Sequence, residues 1–332
     1  MIITEKGESQ FKMKKIILYN PAVSSLNLGD EIIFEGVKDA LRPLLADNYI
    51  IHVSTHLPVS RFYADLLGDA DARYVCGSNL LRNYYRLNFR QWDINLLNAK
   101  KLAPCVLVGV GWHKEAGRIP AYTKRLYQTM LDREKIHSVR DSYTKQRLLE
   151  LGFENVINTG CPTMWKLTPA FCKDIPSGKA KEAVFTLTDY NIDAEKDVLV
   201  VKELKKAYDK VYVWLQGAND YQCAKQLGLL DHVELIPPSL SAYDSFLSTH
   251  DVDYIGTRLH GGIRALQHKR RSMILAVDTR ATEKKADFNL PVTERSQLDQ
   301  DVLEHIMFDS RETNITIPEK EIALWKQASG IL

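Results

Sequence analysis

Arginine and histidine stand two residues apart beside paired glycines in GTRLHGGIRALQH, as Arg258, His260, Gly261 and Gly262. An apolar run precedes them, and we expect the glycines to open the helix IRALQH. If 255–260 is extended, both side chains point the same way. The first N–H groups of the helix are then free to receive negative charge. The pattern predicts an anion site. Alternatively, Arg258 pairs with a core carboxylate and the glycines only let helix and strand approach closely.

A comparable arrangement occurs in the first half of the chain, in IHSVRDSYTKQRLLELG. A predicted strand runs into Arg140 and Asp141, and a predicted helix follows. Asp141 or Ser142 can cap that helix, which places Arg140 next to the helix N-terminus. Arg140 is therefore either a ligand-binding residue or a member of a structural ion pair.

The loop after the first predicted strand, NLGDEII, carries Asn27, Gly29 and Asp30. An amide and a carboxylate in such a loop could contact a polar substrate. The structural alternative is that Gly29 makes a turn and Asp30 caps the helix that follows.

Short β-rich runs alternate with amphipathic helical segments along most of the chain, which predicts parallel sheets. The predicted strands of the first half are KKIILYN, YIIHVSTH, ARYVCGSN, PCVLVGVG and IHSVRDS. Those of the second half are AVFTLTDY, KVYVWLQG, HVELIPP, VDYIGTR and RSMILAVD. We therefore predict an α/β protein with two Rossmann-like doubly wound domains facing a cleft, over 14–168 and 180–295, and a helical tail over 296–332. Ligands of such sheets bind beyond the carboxyl ends of the strands.

The composition is that of a globular protein, since 45% of the 332 residues are hydrophobic and 26% are charged. A net charge of +2 with interspersed signs argues against a nucleic-acid partner. We see no signal peptide or membrane span and expect a cytoplasmic protein, with peripheral membrane association still open. The odd count of five cysteines, without zinc-type or redox spacing, indicates reduced thiols. We predict no metal site.

Taken together, NLGDEII, VCGSNLL, VGVGW, SVRDSYTKQRLLELG, TGCP and above all GTRLHGGIRAL resemble the polysaccharide pyruvyl transferase family. The resemblance covers residues 14 to about 290. It implies two Rossmann-like domains of the glycosyltransferase B type. It also implies transfer of a pyruvyl group from phosphoenolpyruvate to sugar hydroxyls, usually as a cyclic ketal, in a cell-surface polysaccharide or its precursor.

The resemblance implies that Arg140, Arg258 and His260 bind the donor. Leu259 would pack or present its backbone between them, and Gly261 would add N–H donors. Guanidinium groups suit the phosphate and carboxylate of phosphoenolpyruvate, which is a co-substrate, and no cofactor or metal is required. We expect His260, as an imidazolium favoured by the phosphate, to be the catalytic acid.

On the acceptor side, Asp30 is the candidate to receive the proton of the sugar hydroxyl. Asn27 would orient the sugar, and Gly29 and Asn79 complete the predicted acceptor residues. The acceptor is a saccharide, free or carried on a lipid or nucleotide. The motifs do not specify which sugar is the acceptor, the stereochemistry of the ketal or the oligomeric state. Three aromatic residues in RNYYRLNFRQW are further candidates for sugar contacts, namely Tyr84, Tyr85 and Trp92.

Four residues depart from the family pattern. Ser78 and Asn79 follow Gly77 where many members have a glycine triplet, and Cys161 precedes Pro162 where many have Asp-Pro. We expect Cys161 to be a small packed residue, because its motif contains no histidine. Arg280 stands where lysine is common and is either a donor contact or an exposed cation.

Two other functions remain open. The first is a nucleotide-sugar glycosyltransferase of the same fold, although IRALQHKRR lacks the acidic residue that would hold a ribose. The second is a saccharide-binding homologue that has lost catalysis.

Overall fold

The computed structural model describes residues 13–83, 91–115, 117–231 and 233–331. Tyr84 and Tyr85 lie outside these residues. The described chain folds into two α/β halves, each built on parallel strands with helices packed on the faces. Two Rossmann-like domains, as the alternating pattern predicted, are therefore present.

Among the described residues, the first half contains six strands and five helices: β1 (Lys15–Asn20), α1 (Gly29–Leu45), β2 (Tyr49–Ser54), α2 (Arg61–Leu66), β3 (Ala72–Cys76), α3 (Leu96–Leu102), β4 (Val106–Val108), α4 (Ala121–Met130), β5 (His137–Val139), α5 (Ser142–Glu150) and β6 (Val156–Asn158). The strand order is β2-β1-β3-β4, and β5 pairs with β6 in a two-stranded sheet. A parallel bridge between Val110 and Val139 joins this pair to the residues that follow β4. Helices cover both faces, so β1 is apolar on both sides: Ile17 and Tyr19 face one core, and Ile16 and Leu18 the other.

A 3-10 turn (Pro162–Met164) and α6 (Pro169–Cys172) lead into the second half. Its elements are β7 (Glu182–Phe185), α7 (Ala194–Ala207), β8 (Lys210–Trp214), α8 (Asp220–Gln226), β9 (Glu234–Ile236), α9 (Leu240–Thr249), β10 (Val252–Gly256), α10 (Leu259–Gln267), β11 (Ser272–Ala276), α11 (Thr279–Phe288), β12 (Val292–Glu294) and, after a second 3-10 turn (Arg295–Gln297), α12 (Gln300–Phe308). The order β12-β11-β10-β7-β8-β9 reverses between β7 and β10. The loops after these two strands therefore meet at the switch point, where ligands of doubly wound sheets bind.

The last helix, α13 (Glu319–Ala328), crosses back to the first half. Trp325 is buried there, and its Nε1 donates to the carbonyl of Ile136 at 3.1 Å. By contrast, α12 packs on α7 in the second half. The segment 296–332, predicted as one helical tail, thus contributes to both halves.

Three local predictions need correction. Helix α10 begins at Leu259, two residues before the glycines that were expected to open it, and β10 already ends at Gly256. Strands β6 and β12, of three residues each, were not predicted. Within the described residues, no helix has the length and apolar character needed to cross a membrane.

Candidate functional site

The N-terminus of α10 lies beyond the carboxyl end of β10, at the switch point of the second sheet. Arg258 is its N-cap residue, with φ −86° and ψ 106°, and no side chain caps the helix. The first helical amide with a partner is Gly262, which donates to the carbonyl of Arg258 at 3.2 Å. The N–H groups of Leu259, His260 and Gly261 have no partner among the described residues. They present a positive helix end to the cleft.

Arg258 is buried and held by carboxylates. Its Nε donates to the carbonyl of Leu187 at 2.8 Å and to Asp220 at 3.2 Å, and its Nη2 donates to Asp189 at 2.9 Å and to Asp220. The structural alternative for Arg258, pairing with a core carboxylate, is therefore observed. Only Nη1 makes no hydrogen bond with the described residues, and Arg258 still lines the cleft.

Arg258 and His260 do not share a strand face, as the two-residue spacing had suggested. His260 is the second residue of α10, buried, with Nε2 at 3.8 Å from Cys161 Sγ. Cys161 thus has a histidine neighbour, from 99 residues away, which its own motif could not reveal. Thr163 Oγ1 donates to the same sulfur at 3.1 Å. Leu259 packs its side chain into the core, as one of its two predicted roles required.

The protein surroundings of His260 oppose the imidazolium form that the sequence suggested. Burial, followed by the charges of Lys284, Arg140 and Arg280, holds the pKa of His260 well below its usual value. Each of these neighbours is a cation, so the imidazole is neutral at pH 7 in the protein alone. A bound anion is needed to make its charged form favourable.

Arg140 reaches the same region from the first half. Its Nε donates to Asp141 at 3.2 Å and its Nη2 to the Asn79 amide oxygen at 2.9 Å. Asp141 caps α5 by accepting from the Thr144 N–H at 2.7 Å. A Cβ on Gly111 would lie 2.0 Å from Arg140 Nε, so this glycine provides space for the guanidinium. Asn79, predicted to contact the acceptor, uses its oxygen to hold Arg140.

Arg280 is neither free nor fully exposed. Its Nε donates to both carboxylate oxygens of Asp278 at 3.0 Å, and Nη2 donates to the Tyr190 hydroxyl. The guanidinium carbons of Arg280 and Arg258 each lie 5.5 Å from the Tyr190 ring centroid. The two arginines thus share one aromatic contact on the cleft wall.

Lys284, on α11, is a buried neighbour of His260 and Arg140 that the sequence did not identify. It is only 1% exposed and makes no hydrogen bond or ion pair with the part of the chain that the structure describes. Burial and then the charge of Arg140 lower its pKa. The segment TEKKADF gives no signal for this, because its four charged residues are typical of a solvated helix face.

Asp30 faces this basic cluster from α1, which packs against α10. It accepts from Ser25 Oγ at 2.7 Å and Ser78 Oγ at 3.0 Å, and His56 Nε2 lies at 3.9 Å. Burial raises its pKa, although these neighbours oppose the shift. Asp30 does not cap α1, because the N-cap residue is Leu28. Its carboxylate is therefore available for chemistry in the cleft that it lines.

The loop that carries Asn27 connects the two halves. Asn27 Oδ1 accepts from the Gly29 N–H at 3.0 Å and from Gln216 Nε2 at 2.7 Å. The Leu28 N–H donates to the Gln216 carbonyl at 2.9 Å, and Asn27 pairs with Gly217 in an antiparallel bridge. Gly29 is the first residue of α1, not a turn residue, and a Cβ there would lie 2.7 Å from Gln216 Nε2.

The cleft between the halves has a cavity volume of about 930 Å³. Its walls include Asn27, Asp30, His56, Asn79, His113 and Lys114 from the first half, and Asp189, Tyr190, Asn191, Asn219, Arg258, Asp278 and Arg280 from the second. Trp92, a candidate for sugar contacts, is instead buried in the first core against Tyr19. Across the described ranges, no group of three or more His, Cys, Asp or Glu residues is arranged to hold a metal ion.

Comparison with known proteins agrees with this architecture. No curated protein sequence matches the chain. The S. aureus MnaA–UDP co-structure has 15% identity and a TM-score of 0.53, and the match covers 96% of this chain and 98% of that chain. UDP-N-acetylglucosamine 2-epimerase from Rickettsia bellii has 12% identity and a TM-score of 0.54, with 96% and 94% coverage. At such identities these likenesses show the fold alone, which is of the glycosyltransferase B type. The sequence model described as polysaccharide pyruvyl transferase matches residues 27–279, and the chain therefore belongs to the polysaccharide pyruvyl transferase family.

Proposed function

We propose that the protein transfers the pyruvyl group of phosphoenolpyruvate to hydroxyls of a saccharide, forming a ketal on a cell-surface polysaccharide or its precursor. The observation that carries the proposal is the basic cluster at the N-terminus of α10. Arg258, His260 and Arg280 approach it from the second half, and Arg140 does so from the first. Membership of the family supports this assignment.

The donor carries a phosphate and a carboxylate on the same carbon, so its site must bring several cations together. Arg258 offers Nη1, and the N–H groups of Leu259, His260 and Gly261 offer unpaired donors. Arg140 and Arg280 lie within electrostatic reach of His260. Guanidinium groups and a helix N-terminus are both suited to oxyanions. The proposal needs no metal ion, because these groups neutralise the phosphate.

The reaction begins with addition to the enol double bond. His260, charged once the donor anion offsets its cationic neighbours, gives a proton to the methylene carbon, which becomes a methyl group. The sugar oxygen bonds to the adjacent carbon, and Asp30 takes the hydroxyl proton. Phosphate then leaves with its bridging oxygen and takes the proton held by Asp30. A second sugar hydroxyl attacks the same carbon to close the ketal, and its proton returns to His260. Asp30 suits the base role because burial raises its pKa.

The acceptor occupies the side of the cleft formed by the first half. Asn27, Gly29 and Asn79 lie beside Asp30 on this side, and the oxygens of both asparagines are already engaged. Their amide N–H groups are therefore the parts that would contact the sugar. Cys161 packs next to His260 and has no assigned role in this chemistry.

The experiment that tests the proposal is phosphate release from phosphoenolpyruvate across a panel of free, lipid-linked and nucleotide-linked saccharides. We expect release that depends on one class of acceptor, with one ketal formed per phosphate, in the presence of a chelator. Transfer of a sugar from a nucleotide donor to the same panel, without use of phosphoenolpyruvate, would contradict the proposal.

A nucleotide-sugar glycosyltransferase is the alternative, because the fold is shared with a protein solved with UDP. The segment that opens and forms α10, residues 258–267, contains no acidic residue to hold a ribose. This absence favours the pyruvyl donor. A binding protein without catalysis is the remaining alternative, and the intact cluster of Arg140, Arg258 and His260 argues against it.

A further inference from the structure

We propose that Lys284 is an additional anion-binding residue of the donor site, one that holds an acidic group of the donor together with Arg140 and the N-terminus of α10. The inference rests on the proposed function, because it assigns a further residue to the same donor. It goes beyond the arginine and histidine residues that the sequence pattern indicates.

The first argument is that the ammonium of Lys284 has no partner. Its side chain is on α11, 1% exposed, and it forms no ion pair or hydrogen bond with the described residues. Burying an ammonium group without a partner is strongly unfavourable, so proteins almost always pair such a group. An unpaired buried cation beside a ligand site is therefore expected to acquire its partner from the ligand.

The second argument is that the acidic groups near Lys284 are engaged elsewhere. The charged and titratable groups that face it are Arg140, Asp141, Cys161, His260 and Glu283. Asp141 already accepts from Arg140 and caps α5. Glu283 lies 3.8 Å from Lys114. Both carboxylates near Lys284 thus have other partners, and neither forms an ion pair with its ammonium among the described residues.

The third argument is that a receptor for that anion is already present. The unpaired N–H groups of Leu259, His260 and Gly261 lie at the start of α10, and His260 interacts electrostatically with Lys284. Helix N-terminus, lysine and arginine together form a site for a phosphate or carboxylate group. Burial and Arg140 lower the pKa of Lys284, so its charged form gains most from an anion bound at this position.

Titration calorimetry with phosphoenolpyruvate tests the proposal in the variants Lys284→Met and Lys285→Met. Lys285 is the matched control, since it is the next residue on the same helix but exposed. We expect Lys284→Met to weaken binding about 10- to 100-fold and Lys285→Met to leave it unchanged.

Thermal unfolding separates a binding role from a structural one. Replacing an unpaired buried ammonium by an apolar side chain should keep or raise Tm. A lowered Tm of Lys284→Met, or affinity equal to that of the wild type, would overturn the assignment of Lys284 while leaving the proposed function intact. Failure of the wild-type protein to bind phosphoenolpyruvate would overturn both.

Discussion

Replacing Arg258 by alanine should destabilise the fold as well as the donor site. Asp220 is completely buried and bonded to Arg258, so Arg258→Ala leaves a buried carboxylate without its cation. Removing one partner of such a pair reduces the free energy of unfolding by about 3–5 kcal/mol, out of a usual total of about 5–15 kcal/mol. We therefore expect Tm to fall by about 5–15 °C. Lys269→Ala, which breaks an exposed pair with Asp174, should cost about 1 kcal/mol or less.

The dependence on pH and on a second substitution makes this prediction specific. Burial already raises the pKa of Asp220, and Arg258 opposes that shift. Without Arg258 the pKa rises further, so the stability loss should grow as pH rises from acid toward neutral. Asp220→Asn in the Arg258→Ala background should restore part of the lost Tm. Calorimetric unfolding of the wild type and both variants across pH measures these changes in Tm. An Arg258→Ala variant that melts at the wild-type temperature at neutral pH would refute the reasoning.

Two further perturbations test residues that the first half contributes to the site. Gly111→Ala should displace Arg140, since the added Cβ would lie 2.0 Å from its Nε. Both Gly111→Ala and Arg140→Ala should therefore remove the Tm increase caused by phosphoenolpyruvate. The control Gly178→Ala, where a Cβ meets nothing within 4 Å, should keep that increase. Asp30→Asn should lower kcat at least about 100-fold with nearly unchanged donor affinity, whereas Asp39→Asn on the same helix should lower neither. Because burial raises the pKa of Asp30 above that of a free aspartate, the acid limb of kcat/KM should lie at a higher pH than an ordinary aspartate would give. Full activity of Asp30→Asn, or an unchanged Tm increase in Gly111→Ala, would contradict the respective assignment.

The strands and their connecting loops could be predicted because buried parallel strands are apolar on both faces and end at polar or glycine residues. The start of α10, by contrast, could not be predicted from the sequence. Leu-His-Gly-Gly contains two poor helix formers, yet a Cβ at Gly262 would lie 2.5 Å from Ile274 Cγ1. Close packing of the helix on β11 therefore requires glycine inside the helix. The expectation that Arg258 and His260 share a strand face was wrong for this reason.

The candidate site, like the fold, could be predicted from the sequence only in part. Arg140, Arg258, His260 and Asp30 could be selected because each follows or begins an element at the carboxyl end of a sheet. Their partners could not be read, since Asp189 and Asp220 come from other loops, and Cys161 is 99 residues from His260. Lys284 was not identified because other charged residues adjoin it in the sequence, as on a solvated helix face. Its burial depends on how α11 packs.

The central claim, that the basic cluster binds phosphoenolpyruvate, is tested most directly by calorimetric titration of the wild-type protein with a chelator present. The account predicts that phosphoenolpyruvate binds without metal, and that its affinity weakens as salt rises because part of the attraction is between ions. Uridine and guanosine diphosphates, titrated under the same conditions, should bind weakly or not at all. Tight binding of a nucleoside diphosphate together with undetectable binding of phosphoenolpyruvate would contradict the account and favour a nucleotide-sugar glycosyltransferase.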